Sequence, residues 1–599
     1  MSSTPPHTPA PRRGSAAGTR LACGLAAVIA TAALGTILDP WPTDWRVPFG
    51  YRGDAILYQG PIKSMLEGGS HWTNPRLAAP DGGNIYDHPM PEGFHFLFLW
   101  ACGKLSGNDW AVAYNLFIVV QFPAAAVSGC WVLRRFGAGV PAAVLGGVLF
   151  AYLPHHAMVM ISQHVFLGAY FPIPLAVWLV VRVYEGELRW LARDQATGRV
   201  RAPYLSGRGW GAVAVCALMG STGGYYAVFT CMFLLFAGVA GVVRGWKLKA
   251  GLPAAVCIAL VCGSLAANLA PALAYHRQHG GNDALRRYEF EGNYWALRPA
   301  ELVLPSTLHR EPRLAAVSAK YDKVFSFTAN AECATYVRLG VIPSLGLLAA
   351  LLALFRKDGP GEGHQPAFTR LTVAALIVAG PGGFGPLFNF ALTTWIRCYH
   401  RLCVFIGFCA LATLVRLFDK AFPPTSGGWR KWAGVAVAAG LIALGLCDQT
   451  PRPEYPSTAA VAAEFAADRE FVRGVESSLP PAAAVFQLPY FTFPETVPPG
   501  EMIDYDPMRG YLHSDRLRWS YGAMKGRPTA DWQERVSKLP TGEFVTAITD
   551  AGFSAVWVDR YGYPDRRPWV EAELAPLADG PPLVSPTGRY AVYTFVKKK

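Results

Sequence analysis

"WAVAYNLFIVVQFPAAAVSGCWVLRRFGAGVPAAVLGGVLFAYL", residues 110–153, holds two apolar runs that flank Arg134, Arg135 and a glycine-rich turn. The first run, about 110–133, is long enough for a helix to cross the roughly 30 Å of a bilayer core at about 1.5 Å per residue. The second, about 139–153, heads back. A pair of arginines between two such runs marks the side on which positive charge collects in multispanning proteins.

The same grammar recurs on both sides of this stretch. The 599 residues are 52% hydrophobic and only 16% charged, against about a quarter charged in ordinary soluble domains. The net charge of +13 sits in short loops between apolar runs: Arg182 to Arg208, Arg244 to Lys249, Arg356 and Lys357, Arg416 to Lys431. With the charge so placed, no basic surface is left to suggest nucleic acid. Most of the 12 cysteines fall inside apolar runs and lack metal-ligand spacing. The exceptions are Cys333 and Cys398, which could pair on the outer side. No P-loop, GxSxG, HExxH or dinucleotide fingerprint competes for the function.

Residues 1–20, rich in Pro, Ser and Thr, read as a disordered cytoplasmic segment. About 11 membrane helices then follow in a unit spanning 21–447: 21–38, 110–133, 139–153, 165–183, two bent at "STGGYY", 251–273, 335–355, 368–381 broken at "GPGGFGP", 399–415 and 432–447. Alternation with the basic loops puts the amino terminus inside. Two long polar loops, 39–109 and 275–334, lie outside, as does "YLPHHAMVMISQH". The short apolar "FHFLFLWACGKL" lies along the surface. The tail 448–599 changes character. "AAVFQLP", "FSAVWVDRY" and "RYAVYTFV" read as strands, while "VAAEFAADREFVRGVESSL" and "TGEFVTAITDAG" have helical spacing. The expected fold is an α-helical polytopic membrane protein with a small C-terminal α/β extracytoplasmic domain. Its strands could instead pack onto the loops as a lid.

Long loops without regular structure cost ordering entropy and tend to carry function. The outer ones hold "YRGDAILYQG" (51–60), "NPRLAAPDGGNIYDHPMPEG" (74–93) and "RRYEFEGNYW" (286–295). An early outer loop with an acid, a surface helix, many spans and a soluble tail together resemble the GT-C class of integral membrane glycosyltransferases. The closer likeness is to a poorly characterised bacterial branch of that class. It rests on "GD" at 53–54, "NPRLAAPDGGN" at 74–84, "WAVAYNL" at 110–116, "ISQH" before "PIPLAVWL" at 161–179, "RPAELVLPSTLH" at 298–309, "ECATYVRLG" at 332–340 and "IRCYHRLCVF" at 396–405. "FQLP", "MKGRP" and "FSAVWVD" in the tail fit as well.

The resemblance implies transfer of a sugar from a polyprenyl-phosphate donor to a glycan, lipid or protein acceptor at a bacterial inner membrane. Such a donor leaves as a stable phosphate anion, so the chemistry asks for one base and for cations rather than two carboxylates. By the resemblance Asp54 is that base. From the residues alone it could equally cap a surface helix. Asp87, His88 and Glu92 are candidates for substrate contact, as are His164 and Glu332. Arg397 and Arg401 suit the lipid phosphate through their planar forks, with interfacial snorkelling as their ordinary reading. A divalent metal held by Asp54 and Asp87 also stays open. Two other functions remain in view, a transporter or flippase for lipid-linked glycans and a non-catalytic assembly protein.

Overall fold

The computed structural model describes residues 15–595 apart from 39–43, 162, 189–191, 194–199, 202–206, 246, 326–335, 357–362, 426 and 451–457. Glu332, Cys333 and most of the N-terminal segment 1–20 therefore lie outside the described residues. The first helix begins at Ala16, with the Ser15 side chain accepting from the Gly18 amide.

Each apolar segment expected to span contains helix, but 165–183 is interrupted at 169–172 and 335–355 is a continuous helix only from Val341. Among the described residues, seven helices are long and apolar enough to cross a membrane, among them Trp110–Arg135, Leu248–His279 and Gly428–Gln449, and a pair bent by 57°, Gln365–Ala379 with Phe384–Ala391, would make an eighth. Three more apolar helices, Ile173–Tyr184, Gly209–Ser221 and Val341–Phe355, are shorter. The chain is thus a multi-pass membrane protein. Another boundary differs through an extension. "PHHAMVMI" is a helix, Pro154–Ile161, that extends the segment begun at Val140 instead of forming a loop. Proline in a first turn forfeits no hydrogen bond, because that amide has no helical partner.

Beyond the bundle, helix Thr458–Ser478 leads into a five-stranded sheet. Strand Ala484–Leu488 lies between Arg518–Trp519 and Phe553–Asp559, parallel to both, and Tyr590–Thr594 then Leu583–Val584 add antiparallel at the far edge. Its apolar core includes Phe486, Phe544, Val556 and Val558.

This α/β unit is clamped to the first long loop. Along the Arg518–Trp519 edge, the amides of Ala79 and Ala78 donate to the carbonyls of Trp519 and Tyr521, and Trp519 donates back to Arg76 (2.9, 2.8 and 2.8 Å). The loop therefore prolongs the sheet by strand-like pairing. Buried Arg509 completes the clamp. It donates to Asp506, Glu464 and Asp468 and to the Tyr51 carbonyl, and lies over the Tyr51 ring. The bundle meets this unit at Trp110, whose ring is 6.0 Å from Phe465. Arg134 and Arg135 sit at the other end of the same 26-residue helix, about 36 Å away at 1.5 Å per residue. Three residues before the short helix Asp54–Leu66, Tyr51 is fixed by both the clamp and Asp468.

Candidate active site

Helix Asp54–Leu66 buries Ala55, Ile56, Ile62 and Leu66 and starts where the backbone turns through Gly53, at φ 51° and ψ −135°. Only glycine tolerates that conformation without strain. Gly53 is also the N-cap and offers no side chain, so Asp54 occupies the first helical position and does not cap the helix. Its charge still profits from the positive end of the helix dipole. Asn115, in "WAVAYNL", secures the approach: it accepts from the Phe49 amide and donates to the carbonyls of Trp45 and Val47.

His164 reaches Asp54 from the other side. Its Nδ1 lies 2.5 Å from Asp54 Oδ2, and both side chains are about a quarter exposed, at 25% and 24%. The preceding Gln163 has a left-handed backbone at φ 68°. A Cβ on Gly50 would stand 1.7 Å from the Gln163 amide oxygen, so glycine at 50 leaves room for that side chain where it lies. His155 and His156 do not join the pair. His155 Nδ1 meets the Tyr336 carbonyl, and His156 stacks on Phe122 at 3.8 Å within the bundle.

Charged groups from three further segments act on the same place. Tyr58, one turn after Asp54, is half-buried and stacked on Phe166. Burial, then the charges of Asp54 and Glu92, push its hydroxyl well above the usual tyrosine range, with Arg401 opposing. Glu92 lies beside Gly223 of "STGGYY", and burial pushes its carboxyl up to about 7. His88 sits in the fields of Glu495, Arg287, Asp54 and Lys525, and burial holds it below the usual imidazole range. Buried Arg401 lies 4.4 Å over the Tyr225 ring.

The C-terminal unit contributes what sequence reasoning missed. Glu495 pairs with Arg287 at 2.5 Å and lies 3.8 Å from Arg397. Asp504 is raised first by burial and then by the charges of Asp54 and Glu495. Tyr505 feels Asp54 as well. The only hint in the chain is the acid-rich, proline-rich "PETVPPGEMIDYDP", which reads equally well as a solvated turn.

The sequence-predicted residues thus divide. Asp54, His164, His88, Glu92 and Arg401 converge, and Arg397 joins through Glu495. Arg397 is also bonded to Glu291 and lies over Trp295. Asp87 has other partners. It is fully buried and accepts from Arg527 through both oxygens at 2.7 Å, from Asn282 at 3.1 Å, and lies 2.9 Å from His276. Burial would raise it, but the bonds from Arg527 and Asn282 and the Arg527 charge outweigh that and hold it below the carboxylate range. Asp54 and Asp87 therefore do not form one ligand set, and among the described residues no three His, Cys, Asp or Glu side chains could hold a metal ion together.

Chemically, a partly exposed carboxylate hydrogen-bonded to an imidazole can take a proton from a hydroxyl and hand it on. Arg401, whose charge reaches Tyr58 as that of Asp54 does, can meet an anion.

No protein-family model and no curated protein matches the chain. Among solved structures, arabinofuranosyltransferase AftD from mycobacteria aligns over 97% of this chain and 40% of its own, at 16% identity and TM-score 0.50. The Archaeoglobus fulgidus oligosaccharyltransferase aligns over 96% and 73%, at 12% identity and TM-score 0.48. ArnT from Cupriavidus metallidurans, bound to undecaprenyl phosphate, aligns over 98% and 99%, at 14% and 0.39. The likeness to AftD is one of fold, and the chain has the GT-C fold.

Proposed function

We propose that this chain is a membrane glycosyltransferase that moves a sugar from a polyprenyl-phosphate donor to an acceptor on the non-cytoplasmic face of a bacterial inner membrane. One observation carries the reading: a partly exposed Asp54 bonded to His164 at the bundle end that also holds Arg401 and the C-terminal unit. The basic loops collect at the other end, as expected if that end is cytoplasmic. Eleven spans, with the amino terminus inside and residues 448–599 outside, fit this orientation.

In the proposed step, the acceptor hydroxyl gives its proton to the Asp54 carboxylate, with His164 holding that carboxylate in place. The acceptor oxygen then bonds to the anomeric carbon while the bond from that carbon to the phosphate oxygen breaks. The electron pair leaves on the phosphate, and Arg401, with Arg397, stabilises the resulting anion. A single displacement inverts the anomeric centre. His88 and Glu92 are placed to bind sugar hydroxyls. Asp87 would act through the loop it anchors.

A transporter would call for charge at its broken helices, whereas the break "GPGG" between Ala379 and Phe384 carries none. The test is incubation of purified protein with labelled polyprenyl-phosphate sugar beside its Asp54→Asn variant. Transfer by the wild type and its loss in the variant are expected. Equal transfer by both would remove the basis of the proposal, and a non-catalytic assembly role would show as transfer by neither.

A further inference from the structure

At the end of the bundle away from Asp54 lies a cavity of about 350 Å³, walled by the ends of three helices. Helix Cys403–Ala421 connects it to the candidate site. Arg401 precedes that helix, and Thr413, Arg416 and Lys420 near its far end line the cavity. From Arg401 to Arg416 the rise is about 22 Å at 1.5 Å per residue, so the two places are separate. The end of Val341–Leu352 and the start of Gln365–Ala379 supply the other walls.

The lining is polar within and apolar at the rim. Buried Gln365 donates from Nε2 to Thr369 Oγ1 at 3.2 Å and to Thr413 Oγ1 at 3.1 Å, making a floor of three linked polar side chains. Arg356, Arg370, Arg416 and Lys420 all line the cavity, and no carboxylate is among its described lining residues. Arg370 is oriented by a 2.7 Å bond to the Tyr184 hydroxyl. Beside this hollow Leu352, Leu354 and Leu417 are exposed at 66%, 46% and 42%.

Basic residues at helix ends are ordinary in membrane proteins, where they face the head-group layer one by one. Here four of them share one concave site, of a size that takes a small polar group, with an apolar edge beside it. A free anion would use the cations but not the edge. An anionic amphiphile uses both, and basic pockets between membrane helices suit such head groups. We propose that this cavity binds the phosphate-bearing head group of an anionic lipid, with its acyl chains lying over Leu352, Leu354 and Leu417. The inference does not depend on the proposed transferase activity.

The test uses the full-length protein in detergent, offered phosphatidylglycerol, phosphatidylcholine or inorganic phosphate, with retained lipid measured by native mass spectrometry. Phosphatidylglycerol is expected to be retained over phosphatidylcholine. Its retention should fall about tenfold or more in Arg356→Gln/Lys420→Gln, since each basic group adds to lipid affinity. Both positions are exposed, so that variant should fold. Arg416→Lys keeps the charge and is expected to retain the lipid. Equal retention of the two lipids, or undiminished phosphatidylglycerol binding by the double variant, would overturn the proposal. So would a phosphate-induced thermal shift without lipid retention, which would assign the site to a soluble phosphate compound.

Discussion

Asp54 Oδ2 stands 2.5 Å from His164 Nδ1, and two glycines shape the approach on the Asp54 side. Gly53 supplies the turn before Asp54, and Gly50 makes room for the residue before His164. If the pair works as one proton-handling unit, its two substitutions will not add. Asp54→Asn is expected to lower turnover by about 10²–10⁴-fold and His164→Ala by less, with the double variant no slower than Asp54→Asn. Additive losses in a turnover assay with labelled donor would assign the two residues separate tasks.

Gly53→Ala tests the turn without touching a polar group. At φ 51° and ψ −135° a side chain costs about 1–3 kcal/mol of strain. Nothing lies within 4 Å of the added Cβ, so no clash contributes. The expected result is a modestly lower unfolding midpoint together with a disproportionate loss of turnover, because the strain is relieved by moving Asp54. A thermal midpoint and turnover both equal to wild type would show that the turn does not set the carboxylate's position.

The helices were readable from sequence because their signals are local, apolar runs of spanning length. Asp54 and His164 were singled out one by one through the resemblance, and their pairing across 110 residues was not legible. Pro154 and the two histidines after it looked like loop chemistry. The helix takes them because proline is harmless in its first turn and both rings find partners inside the bundle. What could not be read was who meets whom at long range. Arg527 reaches Asp87, and Glu495 reaches Arg287 and Arg397, only because the tail docks along the 76–79 edge. No periodicity encodes that docking.

The Asp87–Arg527 bond separates an anchoring role from direct substrate contact. Asp87 is fully buried, and both its oxygens accept from the guanidinium. Removing Arg527 leaves the buried carboxylate with Asn282 and His276 only, at a cost of up to about 3–5 kcal/mol. Arg527→Met should therefore lower the unfolding midpoint strongly, and Asp87→Leu/Arg527→Met should recover part of that loss. A near-native midpoint with a raised KM in Asp87→Asn would instead place Asp87 against substrate.

Glu92 gives a pH prediction whose sign is fixed by its shift. Its ordinary value of 4.5 is raised to about 7 by burial, so between those values the folded state binds more protons than the unfolded one. Stability from this group is complete below pH 4.5, declines as pH rises, and is gone above about pH 7. Glu92→Gln is expected to flatten that decline, by on the order of 1–3 kcal/mol across the window. Denaturant unfolding of both proteins at pH 5 and pH 8 measures the difference. Parallel pH dependences would mean that Glu92 is ionised in the fold throughout.

The two outer arginines should not behave alike toward an anionic donor. Arg397 already faces Glu291 and Glu495, so much of its charge is answered within the protein. Buried Arg401 lies over the Tyr225 ring, and its charge reaches Tyr58 beside Asp54. A phosphate leaving from a sugar held at Asp54 would gain more from Arg401, and would gain most as its negative charge develops. Arg401→Gln is therefore expected to lower turnover as well as raise KM for the labelled donor. A charge-assisted contact of about 1.5–3 kcal/mol corresponds to roughly 10–150-fold. Arg397→Gln is expected to act mainly on KM, because it loosens the Glu495 loop more than it withdraws charge from the leaving group. Should Arg397→Gln give the larger loss in turnover, the phosphate would sit on the Glu495 side of Asp54, and Arg401 would be a packing residue on Tyr225.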